Sequence, residues 1–336
     1  MSDHKLKPLT SLSRALWHVA PGVSEIRETS LPPLKPGHVR VRALWSAISR
    51  GTERLVTSGA VPESEWTRMR APFQEGDFPF PVKYGYCLVG RLEAGPSSSL
   101  GQTVFVLHPH QTLFDVPEES AVAVPAMVTP RRAVLAANME TALNAVWDSA
   151  AGPGDRILVV GAGVVGLLIA WLCAQLPGAD VLLIDQAPER AAVASALGLK
   201  FALSPVGSDP LDIAFNCTGR SEGLAVAFGQ AGFEATIVEA SWHGARDSLV
   251  PLGGAFHSQR LRLISSQVGA VASSRRARWS YRRRIAKALE LLEDPAFDAL
   301  LTAPMGFEDL PQTLPGLLDG KSSALCPLVC YPDAEP

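Results

Sequence analysis

The sequence predicts an α/β protein, a doubly wound parallel sheet joined to a mainly antiparallel β domain. A run over 156–185 reads as strand, glycine turn, helix and second strand. Further strands then alternate with helical stretches at the spacing of parallel β–α–β units. Ahead of both lies a series of short strand patterns punctuated by Gly and Pro. At 336 residues, 47% hydrophobic and 19% charged, the chain has apolar content for two such domains and does not read as disordered.

Residues 1–128 read as the β domain. Pro32-Pro33-Leu34-Lys35-Pro36-Gly37 forms a loop feeding His38 to Leu44, which alternates as a half-buried strand does. Cys87 to Glu93 and Thr103 to Leu107 repeat the pattern, separated by Gly95-Pro96 and Leu100-Gly101-Gln102. Glu63 to Ala71 is expected to form a short polar helix inside a long loop.

Residues 129–268 read as the parallel-sheet domain, with Pro130 to Asp148 as its helical lead-in. Arg156 to Val160 is a β-branched apolar run of the kind buried on both faces. Gly161-Ala162-Gly163-Val164-Val165-Gly166 follows as G-x-G-x-x-G, then an unbroken helical stretch from Leu167, then the strand Val181 to Ile184. Asp185 ends that strand, 185 − 166 = 19 residues past the last glycine. Each part has a physical task in dinucleotide binding: Gly161 turns tightly, Gly163 lets a pyrophosphate approach, and Gly166 lets helix and strand close up. The helix N-terminus, with Val164 and Val165, offers N–H groups to phosphates. Asp185 suits the ribose 2′-hydroxyl of NAD and repels the 2′-phosphate of NADP. Arg190, where the next helix opens after Pro188, joins the candidate cofactor contacts. Strands at Asp212 to Cys217, Glu234 to Glu239 and Leu261 to Ser265 continue the alternation. Their carboxyl ends nominate Thr218, Gly219, Ala240 and Ser241 as cofactor neighbours; tight turns alone would also account for such small residues.

Residues 269–336 are expected to return to the β domain, through helices at Arg282 to Leu292 and Leu310 to Leu318 and a terminal strand at Cys326 to Tyr331.

Net charge of −3 offers no electrostatic case for nucleic acid or an anionic membrane surface. Five scattered cysteines suggest reduced, buried thiols and a cytoplasmic setting. The start, Met1 to Lys7, lacks the apolar core of a signal peptide, and no apolar run reaches the ~20 residues of a membrane span.

Pro36-Gly37-His38-Val39-Arg40-Val41, Gly51-Thr52-Glu53, Gly85-Tyr86, Gly101-Gln102-Thr103-Val104, the glycine fingerprint and Asn216-Cys217-Thr218-Gly219 occur in an order and spacing that resemble the medium-chain dehydrogenase/reductases. The resemblance covers nearly the whole chain. It implies a Rossmann domain inserted in a GroES-like catalytic domain, an NAD(P)-dependent oxidoreductase acting on a small molecule, and a homodimer. Ser49-x-Gly51-Thr52-Glu53 is closest to a subgroup that includes the hydroxyethyl bacteriochlorophyllide dehydrogenases, without implying their substrate.

The departures concern zinc. Where zinc-dependent relatives place Cys before Gly-Thr-Asp, this chain has Ser49 or Arg50; their Gly-His-Glu becomes Gly85-Tyr86-Cys87; their third ligand falls near Ala137. A catalytic Zn²⁺ needs three N, S or carboxylate ligands, and the four closely spaced cysteines of the structural zinc lobe are missing. No zinc is expected. His108-Pro109-His110 reads as a loop pair of histidines, Cys326 and Cys330 as buried thiols, and neither Ser149 nor His243 belongs to a recognisable Ser-His-Asp motif.

Without a metal, a side chain must serve the carbonyl oxygen. Tyr86 stands where the family places a ligand and is the candidate general acid, its pKa expected to be lowered by Lys83 or Arg50; a filler of a vacated metal site is the competing role. By resemblance Thr52 is the proton-relay hydroxyl, Glu53 its acidic neighbour, and Thr141 a nicotinamide contact, with Glu140 a weaker candidate. Arg275, Arg276, Arg278, Arg282, Arg283 and Arg284 make either a solvated helix face or, at the start of the run, an anion site; Gln267 and His257 lie near it. Two functions stay open. One is a zinc-independent NAD(H)-dependent oxidoreductase of alcohol/ketone pairs or polarised C=C bonds. The other is a non-catalytic NAD(P)H-binding redox sensor or scaffold.

Overall fold

A computed structural model describes residues 11–206 and 209–334; the Met1 to Lys7 segment read above lies outside the described residues. The chain divides into two units. Among the described residues, one comprises 11–134, 303–323 and 327–334, the other 135–206, 209–302 and 324–326.

The first unit is built on mainly antiparallel sheets, with one parallel pair between 305–306 and 328–330. A four-stranded sheet runs 23–31, 11–20, 82–83, 75–76, and a seven-stranded one runs 305–306, 328–330, 38–47, 88–94, 103–106, 122–123, with 113–117 paired to 38–47. Alternation along His38–Ala47 and Leu113–Pro117 sends Val39, Val41, Phe114 and Val116 into one core with Leu16, Leu88 and Val106. Phe307, Leu310 and Leu314 of the returning chain enter the same core, and Phe307 stacks on Tyr331. Arg50–Thr57 is an α-helix with Leu55 and Val56 buried. The polar helix expected over 63–71 is only a 3₁₀ turn at Glu63–Glu65; a nine-residue stretch with two large apolar side chains, Trp66 and Met69, is too short to sustain a helix by itself.

The second unit is a six-stranded, wholly parallel sheet in the order 200–202, 180–184, 156–160, 211–216, 231–239, 262–265. That is the doubly wound 3-2-1-4-5-6 order, with the direction of winding reversing between 156–160 and 211–216. Arg156–Val160 has the predicted bounds, and the fingerprint helix spans Val164–Ala174, where seven residues from Gly166 to Cys173 are buried.

The chain returns to the first unit at Ala303 rather than at Gly269. The helix Tyr281–Glu290 belongs to the parallel-sheet unit because Arg284 anchors it there. Arg284 is 2% exposed and donates to Glu140 Oε1 (2.9 Å), Asn144 Oδ1 (2.6 Å) and the carbonyls of Val268 (2.5 Å) and Ala270 (3.2 Å). It is neither a solvated charge nor an anion site.

Candidate active site

In the parallel-sheet unit, the fingerprint is assembled at the sheet's switch point. Gly161 has φ +104°, and a Cβ there would lie 3.0 Å from Thr218 Cγ2 and 3.1 Å from the Cys217 carbonyl carbon. The two turns that end the adjacent strands therefore close up only because residue 161 is glycine. A Cβ on Gly166 would sit 1.9 Å from the Gly161 carbonyl oxygen, so helix and turn share space no side chain can enter. A Cβ on Gly163 would meet nothing within 4 Å. The open space at Gly163, the helix beginning at Val164 and the closure at Gly166 fit a dinucleotide pyrophosphate.

Asp185 accepts from the amides of Ala162 (2.7 Å) and Ala187 (2.9 Å), which fixes its carboxylate beside the glycine turn. Arg190 opens the helix Arg190–Ala196. Asn216, Thr218, Gly219 and Ser241 form one hydrogen-bonded cluster: Thr218 Oγ1 donates to Asn216 Oδ1 at 2.7 Å, and Gly219 N–H donates to Ser241 Oγ at 2.9 Å. Ala240 N–H in turn donates to the Asn216 carbonyl at 3.0 Å. Thr141 spends its hydroxyl on the Ala137 carbonyl at 2.9 Å. Glu140 is an ion-pair partner of Arg284, and burial pushes its carboxyl up despite that cation. Arg276 and Arg278 donate to the carbonyls of Val271 and Ser274, while Arg275 and Arg283 lie over the rings of Trp147 and Trp279. Gln267 Oε1 accepts from Gly269 N–H, and His257 lies in the four-residue helix Ala255–Ser258.

In the β unit, the residues nominated for chemistry meet at the start of the helix Arg50–Thr57. Tyr86 donates to Ser49 Oγ at 2.5 Å and also meets the Thr52 hydroxyl. Glu53, fully buried in the helix's first turn, accepts the Ser49 amide at 2.7 Å through Oε1. Tyr86, Thr52 and Glu53 are thus one group, linked through Ser49.

The expected lowering of the Tyr86 pKa is overturned. Burial pushes the phenol above its ordinary value, the nearby Cys87 adds to the rise, and the hydroxyls of Ser49 and Thr52 only partly offset it. Neither proposed cation serves it. Lys83 Nζ, itself lowered by burial, donates to Glu75 Oε1 (2.5 Å) and Gln111 Oε1 (2.6 Å). Arg50 donates to the carbonyls of Leu317 and Ser322. Tyr86 is a hydrogen-bond donor whose burial favours the protonated phenol.

His110 belongs to this group, although the sequence presents it only as half of a loop pair. Its ring is 1% exposed, with Nε2 at 3.1 Å from Glu53 Oε2 and Nδ1 at 2.8 Å from Ser46 Oγ. The signal in the sequence is faint, since its partners are 57 and 64 residues away. His108 goes elsewhere, stacked on Phe114 at 3.7 Å and held neutral by burial with a pKa of about 3.

No group of three His, Cys, Asp or Glu among the described residues is arranged to hold a metal ion. The positions matching the family's zinc ligands carry other chemistry: the hydroxyl pair of Ser49 and Tyr86, Arg50 bonded to backbone carbonyls, and Ala137 within the helix Ala136–Ser149. That donor set does not fit zinc. The five cysteines are free thiols, with Cys173 raised to about 12 by burial.

A sequence-family model for an NAD(P)-binding Rossmann-like domain matches residues 159–194. The chain is 21% identical over 327 residues to D-guloside 3-dehydrogenase of Escherichia coli K12, covering 88% of this chain and 91% of that protein. Its fold matches that of L-idonate 5-dehydrogenase from Escherichia coli with a TM-score of 0.78 at 15% identity, over 96% of this chain and 99% of the other. An Escherichia coli CFT073 structure described as a short chain alcohol dehydrogenase, complexed with NADH, matches with a TM-score of 0.75 at 18% identity, over 96% and 99%.

Proposed function

We propose that this chain is a medium-chain dehydrogenase/reductase, an NAD(H)-dependent oxidoreductase of an alcohol/ketone pair that works without zinc; its likeness to two dehydrogenases along nearly their whole length supports the reading. The observation that supports it most is the hydroxyl cluster of Tyr86, Ser49 and Thr52, which holds a protonated phenol at a position that the resemblance matches to a zinc ligand. Bound nicotinamide supplies or accepts the hydride. Gly161, Gly163, Val164, Val165 and Gly166 would hold its pyrophosphate, and Asp185 its adenosine ribose, with Arg190, Thr218, Gly219 and Thr141 alongside. Tyr86 donates the proton that a reduced carbonyl oxygen requires, with Thr52 as hydrogen-bonded partner, and the phenolate so formed is reprotonated by solvent before the next turnover; the raised phenol favours the reducing direction. A donor at oxygen favours a carbonyl over a polarised C=C bond, whose reduction ends on carbon. A cytoplasmic homodimer completes the proposal; reduced thiols accord with that compartment.

Three measurements separate this from its competitors. Elemental analysis of the purified protein is expected to find zinc well below one atom per chain; one stoichiometric zinc would refute the metal-free mechanism. In fluorescence titrations NADH should bind at least about tenfold more tightly than NADPH, a difference near 1.4 kcal/mol, and Asp185→Ala should erase the gap. Tighter NADPH binding would overturn the role of Asp185. A panel of alcohols, ketones and enones read by NADH absorbance then tests turnover. NADH binding with no turnover of any panel member would turn the assignment towards a sensor.

A further inference from the structure

His110 contacts two parts of the candidate site by separate routes. Its ring packs against Gly85, the residue before Tyr86: a Cβ there would lie 3.0 Å from His110 Cδ2 and 3.2 Å from Nε2, and Gly85 has φ +127°. The backbone is pinned too, since the His110 carbonyl accepts from Leu16 N–H at 3.0 Å in the first strand. The ring nitrogens then enter a line of four buried side chains. Tyr331 OH is 3.1 Å from Ser46 Oγ, Ser46 Oγ is 2.8 Å from His110 Nδ1, and His110 Nε2 is 3.1 Å from Glu53 Oε2. Glu53 Oε1 accepts from the Ser49 amide, and Ser49 Oγ accepts from Tyr86.

With an uncharged ring facing a Glu53 carboxylate, one arrangement of protons satisfies every link. A carboxylate at Glu53 only accepts, so Nε2 carries the hydrogen. Nδ1 of the neutral ring then accepts from Ser46, and the Ser46 oxygen accepts from Tyr331, whose hydroxyl burial keeps protonated. His18, the other buried imidazole in the field of Glu53, is lowered to about 4 by burial and brings no competing cation.

We propose that His110 is a positioning residue for Tyr86, locked by Ser46 and Tyr331 in the Nε2–H tautomer so that Glu53 and Ser49 hold the phenol in one orientation. The catalytic consequence rests on the reading of Tyr86 as proton donor; the positional claim does not. Holding a donor in one rotamer is the kind of preorganisation whose loss costs roughly 10²-fold in rate. His110 takes no proton from substrate and touches no reacting atom.

The test uses full-length protein labelled with ζ-¹³C tyrosine and ring-¹⁵N histidine. The four tyrosines, Tyr84, Tyr86, Tyr281 and Tyr331, are each assigned by Phe substitution. In the wild type the His110 ring should show a protonated Nε2 and a bare Nδ1. The opposite tautomer would overturn the proposal. His110→Leu should shift or split the Tyr86 and Tyr331 resonances and leave Tyr281, in the other unit, unmoved. His110→Gln, whose amide can donate to Glu53 and accept from Ser46, should restore them. An unmoved Tyr86 line in His110→Leu would refute the positional role. If that variant does not fold, Ser46→Ala and Gly85→Ala perturb the ring from either side and must move the same line. Given a substrate, kcat should fall roughly 10²-fold in His110→Leu with KM near the wild-type value, and the double variant with Tyr86→Phe should be no slower than Tyr86→Phe alone. An unchanged kcat with a displaced Tyr86 resonance would sink the acid role of Tyr86 while leaving the positional role standing.

Discussion

Tyr86→Phe should lower kcat for carbonyl reduction by roughly 10²–10⁴-fold, the span of a single general acid, with NADH affinity unchanged. The substitution removes one oxygen, and that oxygen is the donor to Ser49. Because burial raises the phenol, kcat should show no alkaline fall from this group below about pH 10, where a free tyrosine begins to ionise. A wild-type rate in Tyr86→Phe would reduce the residue to packing. An alkaline limb near pH 8 that vanishes in Tyr86→Phe would show that the protein lowers this pKa after all.

Arg284→Met should destabilise the protein by about 3–5 kcal/mol, the usual result of removing one partner of a buried ion pair. The side chains of Arg284 and Glu140 are 2% and 5% exposed, so the carboxylate left behind has no water to replace the guanidinium. Two backbone carbonyls, of Val268 and Ala270, lose their donor as well. The loss should depend on pH with a definite sign. Burial already raises Glu140 against the opposing pull of Arg284, and without the cation only the raising influences remain. A carboxyl held above its unfolded value favours the fold while protonated, and that contribution disappears as pH rises through the raised value. The deficit of Arg284→Met measured by urea unfolding should therefore be larger at pH 8 than at pH 5. Glu140→Gln placed on top should recover part of it. A pH-independent deficit would mean that packing and the carbonyl bonds, not the carboxylate, account for the effect.

The parallel-sheet unit was legible because its signals are local. Arg156–Val160 is strand-forming in composition, Gly161, Gly163 and Gly166 punctuate it within six residues, and each glycine meets the constraint its position implies. The β unit was legible in outline, through the alternation of His38–Ala47, but its first two strands, Ser11–Ala20 and Val23–Leu31, were not singled out. The run of arginines misled for the opposite reason. Arg275 and Arg284 differ by nine positions and look alike in sequence, yet one lies exposed over Trp147 and the other is among the most deeply buried side chains in the protein. Burial of a charge depends on a partner, and Glu140 is 144 residues away from Arg284.

The sequence by itself determined that a dinucleotide fold is present, and it carries Ser49 or Arg50, Tyr86 and Ala137 at the positions that the resemblance matches to zinc ligands. Those properties live in residue identities and in spacings shorter than about twenty residues, where chain geometry allows little choice. Only the tertiary structure decided the electrostatic state of Tyr86, the return of the chain at Ala303 and the recruitment of His110 beside Glu53. Each depends on desolvation and on partners from remote strands, and both quantities exist only once the sheets have closed around the residue concerned.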